Sequence, residues 1–170
     1  MVKKQHKAML AIAAVGIAFL AVKPIINPLP LVIWNASKSV PLGWYYVTKR
    51  QPEIGEIAVI APADWVQIYA SSRGYLHQDV WLLKPIFAVQ SSIICRFGSH
   101  VFVDGKHVAN AKIMDKKHRF LPVWKGCKPL TSTQYFVLGR HRDSFDSRYF
   151  GTIEQGQIVG TAFPFSGLFK

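Results

Sequence analysis

The chain has 170 residues, half of them hydrophobic, 18% charged and 13% aromatic. That is enough for one domain with a real core, is too short for two large domains, and excludes a disordered or low-complexity chain. Twenty-one Lys+Arg against 9 Asp+Glu give +12, which leaves a nucleic-acid binder, a protein at an anionic membrane surface, or simply a well-solvated chain.

The amino terminus separates these classes. Residues 8–22, AMLAIAAVGIAFLAV, are uninterrupted apolar residues, with Lys3, Lys4, His6 and Lys7 before them and Lys23 after. As a helix they span about 22 Å, short of the ~30 Å hydrocarbon core, and Lys7 and Lys23 can snorkel to make up the difference. No acid stands among the first 23 residues, so the basic flank is expected in the cytoplasm and everything after Lys23 across the membrane. A cleavable signal peptide is the rival, but Leu20-Ala21-Val22-Lys23-Pro24 offers no pair of small residues two apart for cleavage. The expected division is a cytoplasmic basic tip and transmembrane anchor at 1–23, then a domain at 24–170.

Beyond the anchor the pattern is that of a mostly β domain. Pro24, Pro28 and Pro30 stop any helix and lead into an extended segment, Leu31 to Trp34. Short runs rich in β-branched and aromatic residues follow at 44–47, 57–60, 86–89, 92–95, 135–138 and 157–160. Asp104-Gly105 between Val101-Phe102-Val103 and Lys106-His107-Val108 predicts a tight hairpin. One helix is expected at 64–72, capped by Asp64, with Trp65, Ile68 and Tyr69 on one face. The stretch 112–128, with Lys112, Lys116, Lys117, Arg119, Lys125 and Lys128, has the character of a basic surface insertion. The end, Phe163 to Lys170, fits either a core strand with a tail or a segment dipping into the membrane interface.

Three segments carry candidate chemistry. In Ser37-Lys38-Ser39-Val40-Pro41-Leu42-Gly43-Trp44-Tyr45, a hydroxyl precedes a Pro/Gly turn, where backbone N–H groups can face a reacting carbonyl. On its own, a turn with two solvated serines accounts for it as well. In Trp81-Leu82-Leu83-Lys84-Pro85-Ile86-Phe87, a lysine in so apolar a run buries its stem. A buried ammonium has its pKa lowered and becomes a usable base for a serine, whereas a strand-end lysine with its head in water remains an ordinary one. The third, Leu138 to Gly151, contains Ser144-Phe145-Asp146-Ser147-Arg148-Tyr149 and is dense in hydrogen-bonding residues for a loop between strands.

In this order behind an amino-terminal anchor, the segments resemble the signal peptidase I family of serine–lysine proteases, and within it the TraF-like branch associated with conjugative plasmid transfer. Ser39-Val40-Pro41-x-Gly43-x-Tyr45 resembles the nucleophile box, Arg73-Gly74-Tyr75-Leu76 a segment before the lysine box, and Ser144-x-Asp146-Ser147-Arg148 the last box. The resemblance covers roughly residues 8–165. It implies a signal-peptidase-like coiled β-sheet catalytic domain behind one transmembrane helix, in the bacterial inner membrane with the domain in the periplasm. It further implies Ser39 as nucleophile, Lys84 as general base, and the Ser39 N–H with the Ser37 hydroxyl as oxyanion donors. Ser144 would orient the lysine amine, and Asp146 with Arg148 would brace the site, Asp146 being either a third catalytic member or scaffold. The implied substrates are membrane-tethered precursors, such as conjugative pilin or signal-peptide-bearing chains, cut or joined into rings. No cofactor and no metal is expected, membrane lipids are, and nucleic acid is not.

One departure stands out. The family follows its lysine with Arg-Val and a Pro-Gly-Asp turn, whereas here Pro85 comes directly after Lys84 and Gln90-Ser91-Ser92 takes the place of the turn. Cys95 and Cys127 can pair in an oxidising periplasm or stay as two buried thiols. Weaker rivals are a triad of Ser39, His141 and Asp146, opposed by the arginines flanking His141, and a metal site from His77, His100 and His107 without an accepted ligand spacing. From another class, the chain would be an inactive assembly or nucleic-acid-binding component, resting on the basic stretch 112–128.

Overall fold

The structure is a computed structural model that describes residues 32–165 apart from residue 79. The expected anchor at 8–22, the boundary at residue 23 and the last five residues lie outside the described residues. Among the described residues no helix is long and apolar enough to cross a membrane.

Eleven strands dominate: β1 (Val32–Asn35), β2 (Gly43–Thr48), β3 (Ile57–Ile60), β4 (Leu82–Ala88), β5 (Ile93–Phe97), β6 (His100–Val103), β7 (Lys106–Asn110), β8 (Gly126–Pro129), β9 (Gln134–Val137), β10 (Ile153–Glu154) and β11 (Ile158–Pro164). Helix α1 spans Asp64–Ser72 and the one-turn helix α2 spans Ser147–Phe150. The strands form a seven-stranded sheet, in the order β1-β2-β11-β3-β4-β9-β10, and a four-stranded sheet, β7-β6-β5-β8. Every pairing is antiparallel.

Alternation along β9 ties the two sheets together. Phe136 packs into a cluster with Ile94, Val101 and Val103 of the small sheet, whereas Val137 points the other way, into a cluster with Ala58, Ile60, Leu82 and Ile86 of the large one. Both residues are fully buried. Cys95 and Cys127 stand directly opposite each other on β5 and β8 and form a disulfide, Cα–Cα 4.0 Å.

Several details depart from the sequence expectations, each for a physical reason. Helix α1 runs from residue 64 to 72 as expected, but Asp64 is its first helical residue and Ala63 the uncapped N-cap. It buries Val66 and Ala70, leaving Trp65 and Ile68 49% and 66% exposed. The helix therefore packs through its small residues. Strand β4 starts four residues before the apolar run at 86–89, because Lys84 and Pro85 interrupt the hydrophobic pattern without interrupting the strand. Pro85 is tolerated there because the donor to the β3 side is Ile86, whose N–H bonds Glu56 O at 2.8 Å. The proline nitrogen faces β9 at the end of that ladder, where Pro85 O accepts the Leu138 N–H at 3.2 Å. A turn also survives at Gln90-Ser91-Ser92, with Ser91 at φ 75° and the Ser92 N–H on Val89 O at 3.2 Å.

The stretch 112–128 is partly structured. Met114 pairs with Phe120, and Asp115 accepts from Arg119 Nε at 2.7 Å and Tyr75 OH at 2.5 Å. Burial alone would raise the Asp115 carboxyl, but these bonds hold it well below the usual carboxylate range. The carboxyl-terminal segment continues β11 through Pro164, with Phe163 stacked on Tyr46 at 5.2 Å.

Candidate active site

Three pieces of backbone converge on one point. The first is the loop 36–42 that joins β1 to β2, pinned from both sides. Asn35 Nδ2 donates to the carbonyls of Ser37 (2.8 Å), Val40 (3.1 Å) and Pro41 (2.9 Å), and Tyr45 OH donates to Pro41 O at 2.7 Å. Gly43 takes φ 138°, a backbone conformation that residues with a side chain rarely adopt, as the chain enters β2. These contacts give the Ser-x-Pro-x-Gly-x-Tyr pattern its physical content: it shapes the loop that presents Ser39. A single asparagine before a turn carries no special signal in a sequence, so Asn35 is legible only in three dimensions.

The second piece is β4, where strand alternation puts Lys84 on the same face as Leu82 and Ile86. Its Nζ, in a side chain only 4% exposed, donates to Ser39 Oγ at 2.5 Å and to Ser144 Oγ at 3.0 Å. The two hydroxyls lie 3.1 Å apart, closing a triangle. Burial pushes the Lys84 ammonium down from 10.5 to about 8, with Asp146 opposing the shift and Arg148 adding to it.

The third piece is the loop after β9. Asp146 is fully buried and uses both oxygens: Oδ1 accepts from Arg148 Nε (2.7 Å) and Arg148 N (3.2 Å), Oδ2 from Arg148 Nη2 (2.9 Å) and the Gly139 N–H (2.9 Å). Arg148 Nη2 also donates to Gly139 O at 2.9 Å. The pair thus clamps the backbone at Gly139, against which Ser144 and Ser39 pack. A Cβ at Gly139 would stand 2.8 Å from Ser144 Cβ and 3.3 Å from Ser39 Cβ.

Two further residues support this loop: Ser147, which belongs to the Ser144-x-Asp146-Ser147-Arg148 box, and Arg96, which stands outside every motif of the sequence. Ser147 Oγ accepts the Val137 N–H at 2.9 Å, and the buried Arg96 donates to Arg148 O at 2.5 Å.

The structure thus brings Ser39, Lys84 and Ser144 into mutual hydrogen-bond contact and sets Asp146 and Arg148 behind them. Ser37 stands apart from the triangle: it is exposed, and its hydroxyl donates to Asn35 Oδ1 at 2.9 Å. His141 Nδ1 accepts the Asp143 N–H at 3.1 Å, while Ser39 Oγ is hydrogen-bonded to Lys84 and Ser144 and not to this imidazole. His100 and His107 face each other across β6 and β7 with ring centroids 5.5 Å apart, and among the described residues no group of three metal-ligating side chains forms. The cleft over the triangle, about 680 Å³, is walled by residues 33–39, the Arg73-Gly74-Tyr75-Leu76 segment, Leu82 to Lys84 and part of the stretch 112–121.

A serine hydroxyl beside a buried lysine amine of lowered pKa, in a cleft on a β scaffold, is an arrangement chemically able to support acyl transfer. A family model described as signal peptidase, peptidase S26, matches residues 4–166. The chain belongs to this signal peptidase family, on its TraF-like branch. It is 29% identical over 138 residues to a probable conjugal transfer protein TraF of Sinorhizobium fredii (strain NBRC 101917 / NGR234), covering 75% of this chain and 73% of that one. It is 25% identical over 142 residues to a plasmid transfer protein TraF of Escherichia coli, covering 76% and 80%. A crystallised signal peptidase I of Enterococcus faecalis V583 aligns at 16% identity over 67% of this chain and 98% of its own, with a TM-score of 0.38, too slight a likeness to carry an argument.

Proposed function

We propose that the chain is a membrane-anchored serine endopeptidase of the signal peptidase I type, acting through a Ser39–Lys84 dyad. The observation that carries this reading is the 2.5 Å contact between Lys84 Nζ and Ser39 Oγ inside a buried pocket. In the neutral state the amine accepts the Ser39 proton as Oγ attacks the scissile carbonyl carbon. The C–N bond then breaks and the leaving nitrogen takes that proton from Lys84. Water, or an amine of the same chain if one is better placed, next attacks the ester. Its proton passes to Lys84 and back to Ser39 Oγ, which restores the site. Ser144, bonded to both, fixes the amine, and Asp146 with Arg148 holds Gly139 and the loop in register, so Asp146 acts as scaffold. The Ser39 N–H serves as one oxyanion donor. Ser37 can supply a second on turning its hydroxyl from Asn35, and each such donor contributes about 10²–10³ in rate.

Residues 8–22 anchor the chain in the bacterial inner membrane with residues 24–170 on the periplasmic side, where the disulfide between β5 and β8 is chemically stable. The proposed substrates are membrane-tethered precursors of a conjugative transfer apparatus, such as pilin; the transfer-protein names of its relatives support this reading. Treating the full chain with a serine-directed phosphonylating reagent is expected to add one adduct, located by mass spectrometry on Ser39 and lost in Lys84→Ala. Absence of any adduct on wild type, together with salt-sensitive binding of DNA, would instead favour a non-catalytic component.

A further inference from the structure

The loop 139–146 divides the catalytic cleft from a second, larger one of about 950 Å³. Strand β4 runs from one to the other: Leu82, Leu83 and Lys84 line the first, Pro85, Ile86 and Phe87 the second. The second cleft is apolar along Phe87 and Ile54 and basic along Lys112, Arg140 and Arg142.

Among the described residues no carboxylate lines it, and those near it in sequence are already paired. Asp143 is held by Lys112 and, at 3.4 Å, by Lys116. Beyond Ile54, Glu53 and Glu56 pair with Arg50 at 3.9 and 2.5 Å. Arg142 reaches Asp143 only at 3.9 Å, and among the described residues Arg140 forms no ion pair. Both arginines are exposed. The Arg140 backbone is nevertheless held beside Ser39, since its N–H donates to Ser39 O at 3.3 Å.

Resting on the peptidase reading above, we propose that this second cleft receives the substrate segment beyond the scissile bond, and that Arg140 and Arg142 select an Asp or Glu within its first few residues. Direction follows from the proton path: the leaving nitrogen must meet Lys84, the point at which β4 passes from the catalytic cleft into the basic one. An extended chain leaving that nitrogen continues along Pro85 to Phe87, with its alternate side chains toward Arg140 and Arg142. An anionic lipid headgroup would suit the same arginines. A peptide fits better, because β4 and residues 139–142 connect this cleft directly to the reacting atoms.

The test uses the full chain in detergent with a library of randomised short peptides, products being sequenced by mass spectrometry. The expected result is about tenfold enrichment of Asp or Glu over Gln after the cut bond, fading as salt is raised and reversing toward Lys in the double variant Arg140→Glu/Arg142→Glu. Cleavage without acidic enrichment, enrichment only before the bond, or an unchanged preference in the double variant overturns the proposal and leaves the peptidase reading standing. In parallel, Ser39→Ala is titrated with two Ala-rich peptides that differ only in Glu against Gln. If nothing is cleaved, yet the Glu peptide binds about tenfold tighter and loses that advantage with both arginines reversed, the peptidase reading fails while the acidic selectivity of the cleft stands. Equal binding of both peptides overturns the selectivity. So does loss, in the double variant, of binding to phosphatidylcholine vesicles containing phosphatidylglycerol when the peptide preference is unchanged, since the arginines would then face headgroups.

Discussion

Ser144 and Asp146 are two residues apart and do different work. Ser144 touches both Ser39 and Lys84, at 3.1 Å from Ser39 Oγ and 3.0 Å from Lys84 Nζ, whereas the side-chain hydrogen bonds of Asp146 all go to Arg148 and Gly139. Ser144→Ala is therefore expected to lower kcat about 10–100-fold through a misaligned amine, at a stability cost of only about 1 kcal/mol. Asp146→Asn leaves the buried Arg148 guanidinium without its counter-charge and is expected to lower stability by about 3–5 kcal/mol. Thermal unfolding beside single-turnover kinetics separates the two. At this scale the sequence was informative where a residue belonged to a dense motif, as Ser39, Lys84 and Ser144 do. It is silent on Asn35 and Arg96, and it places Ser147 in the last box without its role; all three act through bonds to backbone groups that no spacing rule encodes.

Among the elements, strands with a regular apolar pattern were legible, and those whose pattern is broken were not. The runs at 57–60 and 135–138 fall on β3 and β9 to within a residue, and the Asp104-Gly105 turn links β6 to β7. The early half of β4 is hidden because Lys84 and Pro85 break its apolar pattern, and β8 and β10 are too short and polar to show a period. Helix α1 spans the expected residues but turns Val66 and Ala70 inward and leaves Trp65 and Ile68 exposed, because its apolar residues lie on more than one face and periodicity alone does not choose between them. The segment after β9 has a requirement of its own, because the backbone at Gly139 passes within contact of Ser144 and Ser39. Gly139→Ala is expected to push the two hydroxyls apart and reduce activity about 100-fold, while circular dichroism stays that of the wild type. Normal turnover in this variant would show that the triangle tolerates displacement.

For the molecule as a whole, the seven-stranded sheet brings Lys84 to partners 45 and 60 residues away in sequence, a juxtaposition that local pattern cannot reveal. The disulfide between β5 and β8, at a sequence separation of 32, restrains the unfolded chain. Replacing both cysteines by serine is expected to cost about 3–4 kcal/mol by the loop-entropy relation and to lower Tm by roughly 10 °C. An unchanged Tm would mean that the bridge adds nothing. The +12 charge also divides: no acid offsets Lys3, Lys4, Lys7 and Lys23, and the rest, 17 basic against 9 acidic residues, carries +8. The first share is an orientation signal in the proposed topology, and part of the second lines the cleft beyond Lys84.

The proposed dyad requires a lysine that is neutral when it meets Ser39. Burial sets its pKa at about 8, so the competent fraction grows as pH rises, roughly tenfold per unit below the midpoint. The direct measurement is the rate of Ser39 acylation by an activated ester as a function of pH, in the full chain and in Lys84→Ala. The expected result is a rise with an apparent pKa near 8 and no measurable acylation without the lysine. A flat profile, or full acylation in Lys84→Ala, would contradict it.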